Sequence, residues 1–182
     1  MKKIRIGENI SGVAPLSLGG NVFGWTLDEE KSFEILDAYV EAGYNFIDTA
    51  DMYSYWINGG GGGESETIIG KWMKARGNRD KIIIATKVGG ETGEHGIDAS
   101  RNHILETVEK SLKRLQTDYI DLHYLHFDDG TTPVEETLSA FDELVKSGKV
   151  KEIAVSNISP ERLKESLEFS DKNNLSKYQA LQ

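Results

Sequence analysis

The chain contains no cysteine. That removes a disulfide framework and any thiolate metal site, and it fits a cytoplasmic enzyme. No apolar run approaches the roughly 20 residues of a membrane span, so no membrane partner is expected. The opening Met1-Lys2-Lys3-Ile4-Arg5-Ile6 is basic but has no apolar stretch behind it, which argues against a signal peptide. Positive charge is also short: 21 Lys and Arg face 30 Asp and Glu, a net charge of -9. This argues against a general nucleic-acid binder. An anionic cofactor would need a local positive pocket working against the overall field. Missing too is the GxGxxG spacing that sets a pyrophosphate on a helix N-terminus, since the first candidate turn reads Gly19-Gly20-Asn21-Val22-Phe23-Gly24.

What is present is a regular alternation of apolar strands and amphipathic helices. Residues 3–6 and 10–12 read as a hairpin, and 13–18 as an apolar strand ending in Gly19-Gly20. Thr26-Leu27-Asp28-Glu29 has capping-box spacing and opens a helix with Phe33, Leu36 and Val40 on one face and Gly43 as its stop. Strands are expected at 45–48, 81–86, 119–126 and 150–156. Ile82-Ile83-Ile84-Ala85 is apolar enough to be buried on both faces. Helices are expected at 65–75, after Ser100, after Thr132-Pro133-Val134-Glu135 with Pro133 as first helical residue, and after Ser159-Pro160. Residues 178–182 form or begin a sixth strand of the series. No linker divides residues 1–182, which read as a single domain. Strict alternation implies parallel strands with right-handed crossovers, in either a doubly wound sheet or a (β/α)8 TIM barrel. The absent glycine fingerprint favours the barrel, as do polar residues after several different strands. A complete barrel takes about 250 residues. Only six of its strands are countable, so a barrel truncated to about six strands with an N-terminal hairpin is expected.

Four polar residues stand where strands stop: Asp48, Tyr53, Lys87 and His126. Each alone reads equally well as a cap or as packing; their combination carries the chemistry. A phenol has a pKa near 10, and as a general acid near neutral pH it benefits from an adjacent cation. Lys87 is that cation, Asp48 holds it through a buried ion pair, and neutral His126 donates a hydrogen bond to a substrate carbonyl. The chemistry these groups permit is carbonyl reduction by hydride transfer. His126 is preferred to His123, which has the opposite parity on the same strand and faces elsewhere. Tyr53 is preferred to Tyr55. Tyr55 and Trp56 are read as pocket lining, while Phe23, Trp25, Trp56 and Phe127 lie after strands, where pocket lining and core packing are both open. The set Asp121, His123, His126, Asp128 and Asp129 has no ligand spacing typical of a metal site, so no metal is expected. The run Gly59–Gly63 has no Lys-Ser/Thr behind it and reads as a flexible insertion rather than a phosphate loop.

Six motifs in order resemble the aldo-keto reductases: Phe46-Ile47-Asp48-Thr49-Ala50-Asp51-Met52-Tyr53; Gly63-Glu64-Ser65-Glu66 with Ile69-Gly70; Ala85-Thr86-Lys87-Val88; Asp118 to His126; Gly148-Lys149-Val150; and Ala154-Val155-Ser156-Asn157. The resemblance implies a barrel that binds NADP(H) without a Rossmann fold. It also implies a catalytic tetrad of Asp48, Tyr53 as general acid, Lys87 and His126. Ser156, Asn157 and Gln182 then contact the nicotinamide carboxamide, with Gly20 and Asn21 as further cofactor-binding candidates and Trp25, Tyr55, Trp56 and Phe127 as substrate-pocket candidates. A small carbonyl compound is the expected substrate. A cofactor-bound regulatory or binding protein of the same family and a metal-dependent barrel hydrolase are the alternatives. By the resemblance, strands seven and eight and the phosphate-binding segment are absent, so residues 1–182 alone are expected to bind NADP(H) poorly. Unpaired first and sixth strands leave a homo-oligomer open.

Overall fold

The computed structural model describes residues 2–57, 61–92 and 95–182. Met1 and, from the glycine run, Gly59 and Gly60 lie outside the described residues. The chain opens with an antiparallel hairpin, β1 (Ile4–Ile6) and β2 (Ile10–Val13). It continues as β3 (Ser17–Gly19), α1 (Glu29–Glu41), β4 (Phe46–Asp48), α2 (Glu64–Arg76) and β5 (Ile83–Val88). Then come α3 (Arg101–Leu115), β6 (Ile120–Leu125), α4 (Val134–Lys146), β7 (Val150–Val155), α5 (Pro160–Asn173) and β8 (Tyr178–Leu181). Strands β3 to β8 form one parallel sheet in their sequence order. A doubly wound sheet reverses its strand order at a switch point; this one advances in one direction throughout, as the first six strands of a (β/α)8 barrel do. Among the described residues no helix is long and apolar enough to cross a membrane.

The strand alternation sorts the core into two layers. Outward residues such as Ile47, Ile84, Val88, Leu125 and Ile153 pack with Leu36, Ile69, Trp72, Ile104, Leu138 and Phe141 from the helices. Inward residues Ile83, Ala85, Leu122, Tyr124 and Ala154 instead meet Ile10 and Val13 of the hairpin. The hairpin therefore covers the inner face. It is latched at the N-terminal ends of the strands by Glu152, whose Oε1 accepts from the backbone N–H of Glu8 and Asn9, both at 2.7 Å. The hairpin fills the N-terminal end of the inward row, and Asp48, Lys87 and Ser156 stand at its C-terminal end. Every residue of β5 is buried, as its apolar run requires.

Several local readings need correction. Residues 13–18 are not one strand: Val13 pairs with Ile4 in the hairpin, and the sheet strand starts only at Ser17, beyond Pro15, which has no N–H to give a ladder. Thr26 does not cap α1. Asp28 does, accepting from the N–H of Lys31 at 2.8 Å. Nor does Thr132 cap α4: Pro133 occupies the cap position rather than the first helical one, and Thr132 gives its hydroxyl and N–H to Asp129. Ser100 and Ser159 cap α3 and α5 as expected. Lys81 belongs to a short 3-10 turn rather than to β5.

Candidate active site

Strand register places Asp48, the last residue of β4, beside Ala85 of β5, and Lys87 beside Tyr124 of β6. Asp48, Ala85, Lys87, Leu122, Tyr124, Ala154 and Ser156 thus alternate onto the same inner face. Lys87 is completely buried. A buried ammonium needs partners for its protons, and it has three: Asp48 Oδ2 at 2.7 Å, the carbonyl of Thr49 at 2.8 Å, and the Tyr53 hydroxyl oxygen at 3.0 Å. Tyr53 accepts that bond, so its own proton remains to be donated elsewhere. The segment bearing Tyr53 is fixed because Thr49 and Asp51 donate their N–H groups to the carbonyls of Ala85 and Lys87.

His126 directly follows β6 and meets Tyr53 edge-on, with ring centroids 6.1 Å apart. Burial, helped by the Lys87 charge, pushes its pKa down to about 3, so the imidazole is neutral at physiological pH. Its Nδ1 is buried with no hydrogen-bond partner among the described residues. Gly90 passes so close that a Cβ there would lie 3.2 Å from this nitrogen and 2.2 Å from Met52 Sδ. His123 faces the helices instead: it packs against Phe141, bonds the Thr86 carbonyl through Nδ1 at 3.2 Å, and is driven by burial to about 4. Asp48, Tyr53, Lys87 and His126 are therefore together, and His123 stands apart from them.

The other candidates divide. Ser156 and Asn157 directly follow β7, beside His126: Asn157 Nδ2 donates to the His126 carbonyl at 2.9 Å and to Ser156 Oγ at 2.8 Å. Asn157 holds a left-handed backbone (φ 49°), which turns the chain over the strand end. Gln182 follows β8 and donates its N–H to the Val155 carbonyl at 3.1 Å. Gly20 donates its N–H to the Asp48 carbonyl at 2.7 Å and accepts from Ser65, so both its backbone groups are spent on holding the site; Asn21 is exposed. Trp25 and Trp56 meet edge-on at 5.3 Å, and Tyr55 meets Trp56 at 5.4 Å. The two tryptophans stay 51% and 41% exposed. Phe127 stacks on His126 at 4.6 Å, while Phe23 is core. The acidic residues around β6 scatter. Asp121 binds Arg79 and Lys151, Asp128 binds Arg162, and Asp129 holds the turn at Thr131 and Thr132.

Sequence reading passed over a second buried set. Glu66 of α2 accepts from Thr86 Oγ1 at 2.5 Å and from Arg114 Nε at 2.6 Å. Asp51 lies close enough that burial and the Glu66 charge push its carboxyl up to about 8. The signal was the Glu66 of the Gly63-Glu64-Ser65-Glu66 motif, but its partners come from residues 20 to 48 positions away.

Comparison with known proteins matches residues 15–180 to the aldo/keto reductase family. The chain is 42% identical over 154 residues to the aldo-keto reductase YhdN of Bacillus subtilis (strain 168), covering 84% of this chain and 44% of that protein. It is 39% identical over 166 residues to an aryl-alcohol dehydrogenase [NADP(+)] of Phanerodontia chrysosporium, covering 80% and 41%. The holo form of an aldo-keto reductase from Bacillus halodurans superposes with a TM-score of 0.79 at 40% identity, covering 92% of this chain and 54% of that one. The chain thus spans less than half the length of these curated relatives. With the family match over most of its length, its parallel sheet in sequence order and this level of identity, the chain belongs to the aldo/keto reductase family.

Proposed function

We propose that this chain carries the catalytic half of a reductase that converts aldehydes or ketones to alcohols, with NADP(H) as reductant. The observation that carries the reading is the Lys87 ammonium held between Asp48 and the Tyr53 oxygen. Lys87 donates into Tyr53, which frees the tyrosine proton for a carbonyl oxygen and stabilises the phenolate that forms as the proton leaves. Asp48 and the Thr49 carbonyl keep Lys87 charged and fixed. His126, neutral, donates through Nε2 to the same carbonyl oxygen and orients it.

The cofactor reading is supported by complementary polar groups. Asn157 spends its Nδ2 on His126 and Ser156, which leaves its Oδ1 to accept and the Ser156 hydroxyl to donate. One acceptor beside one donor suits a primary carboxamide, with Gln182 alongside. The nicotinamide, when bound, supplies the hydride to the carbonyl carbon. The choice of NADP over NAD is supported by the Phanerodontia chrysosporium relative, whose name specifies NADP(+). Trp25, Tyr55, Trp56 and Phe127 wall the mouth and exclude water from an apolar substrate. Oxidation of NADPH and of NADH by the intact protein, followed against a panel of aldehydes and ketones, tests the reading. Turnover with at least one carbonyl is expected, faster with NADPH; cofactor binding without turnover of any carbonyl would refute it.

A further inference from the structure

Orientation of a carbonyl by His126 depends on which ring nitrogen carries the proton. A neutral imidazole has one N–H donor and one bare acceptor nitrogen. With the proton on Nε2 the ring donates to the carbonyl oxygen. With the proton on Nδ1 it turns a lone pair toward that oxygen and repels it. In many sites a hydrogen bond at one nitrogen fixes the tautomer. His126 has no such bond at Nδ1, which is buried and without a hydrogen-bond partner among the described residues.

The wall around Nδ1 takes the place of that bond. Gly90, two residues beyond β5, is buried. A Cβ there would lie 2.2 Å from Met52 Sδ and 3.2 Å from His126 Nδ1, so sulfur and nitrogen share the space a side chain would need. Gly90 is not among the left-handed glycines, so room rather than backbone conformation demands it. Both sides of the wall are held. His126 donates its N–H to the Val88 carbonyl at 2.8 Å, and Gly89, at φ 88°, passes where a Cβ would lie 2.9 Å from the Asp98 carbonyl oxygen. Gly62 backs Met52, since a Cβ there would lie 2.9 Å from Met52 Cα, and the Met52 carbonyl accepts from the Tyr55 N–H at 3.0 Å. Phe127 stacks on the ring. The Met52 thioether is a weak acceptor and makes no hydrogen bond to Nδ1. A proton on Nδ1 would therefore be a buried N–H with nothing to bond, and such orphaned donors are rare.

We propose that Met52 and Gly90 are positioning residues that keep the His126 proton on Nε2, by sealing Nδ1 from water and from every acceptor. The effect on turnover rests on the carbonyl-reducing role proposed for His126; the tautomer does not. Ring-nitrogen NMR of the intact protein, labelled at histidine and recorded without substrate or nicotinamide, reads the tautomer, with His126→Gln assigning the signal. The unaltered protein should show one tautomer, protonated on Nε2. Met52 is only partly buried, so Met52→Ala should leave the fold intact while opening Nδ1 to water, and a second tautomer should appear. Met52→Leu, of similar volume, should keep the single tautomer. In NADPH-dependent turnover Met52→Ala should lose about 10-fold in kcat, the worth of one orienting hydrogen bond, and Met52→Leu should regain it. Gly90→Ala, whose methyl the Met52 side chain can yield to, should keep Nδ1 dry but press on the ring, giving one tautomer and a lowered kcat. If the unaltered protein reduces no carbonyl, the proposed function fails while the nitrogen spectra still decide the tautomer. A proton on Nδ1 in the unaltered protein, a Met52→Ala spectrum unchanged from it, or full turnover by Met52→Ala overturns the proposal.

Discussion

Lys87 and Asp48 form an ion pair of 2.7 Å in which the lysine is wholly buried and the aspartate nearly so. Breaking such a pair from one side leaves an uncompensated charge in the interior, which costs about 3–5 kcal/mol. Lys87→Met should lose about that much stability in urea denaturation. The double variant Lys87→Met/Asp48→Leu should recover part of the loss, because no lone charge remains. If the two single effects simply add, the pair is not coupled and the account of the buried cluster is wrong.

The buried carboxyl of Asp51 gives stability a pH dependence of opposite sign to the usual acid unfolding. Its pKa rises from 3.8 unfolded to about 8 folded. The folded chain keeps a proton that the unfolded chain has lost, so the contribution is full below about pH 4 and is withdrawn as pH rises to about 8. His123 and His126 act the other way. Held neutral down to about 4 and about 3, they contribute fully above about pH 6.5 and lose that contribution on acidification. Asp51→Asn should therefore raise Tm at pH 8 by roughly 2–6 °C and change it little at pH 4. An equal shift at both pH values would show that the carboxyl is not protonated in the fold.

Helices α2 and α3 meet at Gly70, where an added Cβ would lie 2.2 Å from the Arg114 carbonyl oxygen. A backbone atom cannot step aside as a side-chain tip can. Gly70→Ala should cost about 1–3 kcal/mol, although alanine is the better helix former. A neutral or stabilising result, read by chemical denaturation, would mean that the helices are not in backbone contact.

Much of this architecture was legible because it rests on local signals. The apolar run of β5 fixes a strand buried on both faces, and Ser100 and Ser159 mark helix starts. The alternation along β6 separates His126 from His123. The failures have physical causes. The Thr26 and Thr132 spacings are valid capping boxes, but Asp28 accepts from the N–H of Lys31 and so starts the helix two residues later, while Asp129 takes up the N–H and hydroxyl of Thr132 itself. The apolar stretch from Val13 to Leu18 hides Pro15, and only the hairpin partner Ile4 shows to which sheet Val13 belongs. The raised pKa of Asp51 was not legible at all, since it arises from burial in the folded chain and from the Glu66 charge arriving on α2.

The central claim is that Tyr53 delivers the proton while Lys87 stabilises what is left behind. The most direct measurement is the NADPH-dependent turnover of a responsive aldehyde by the intact protein and by its Tyr53→Phe variant. The ring and its packing against His126 are kept; only the hydroxyl is lost. A fall in kcat of about 10²- to 10⁴-fold with the folded stability preserved is the predicted result. Turnover equal to that of the unaltered protein would contradict it.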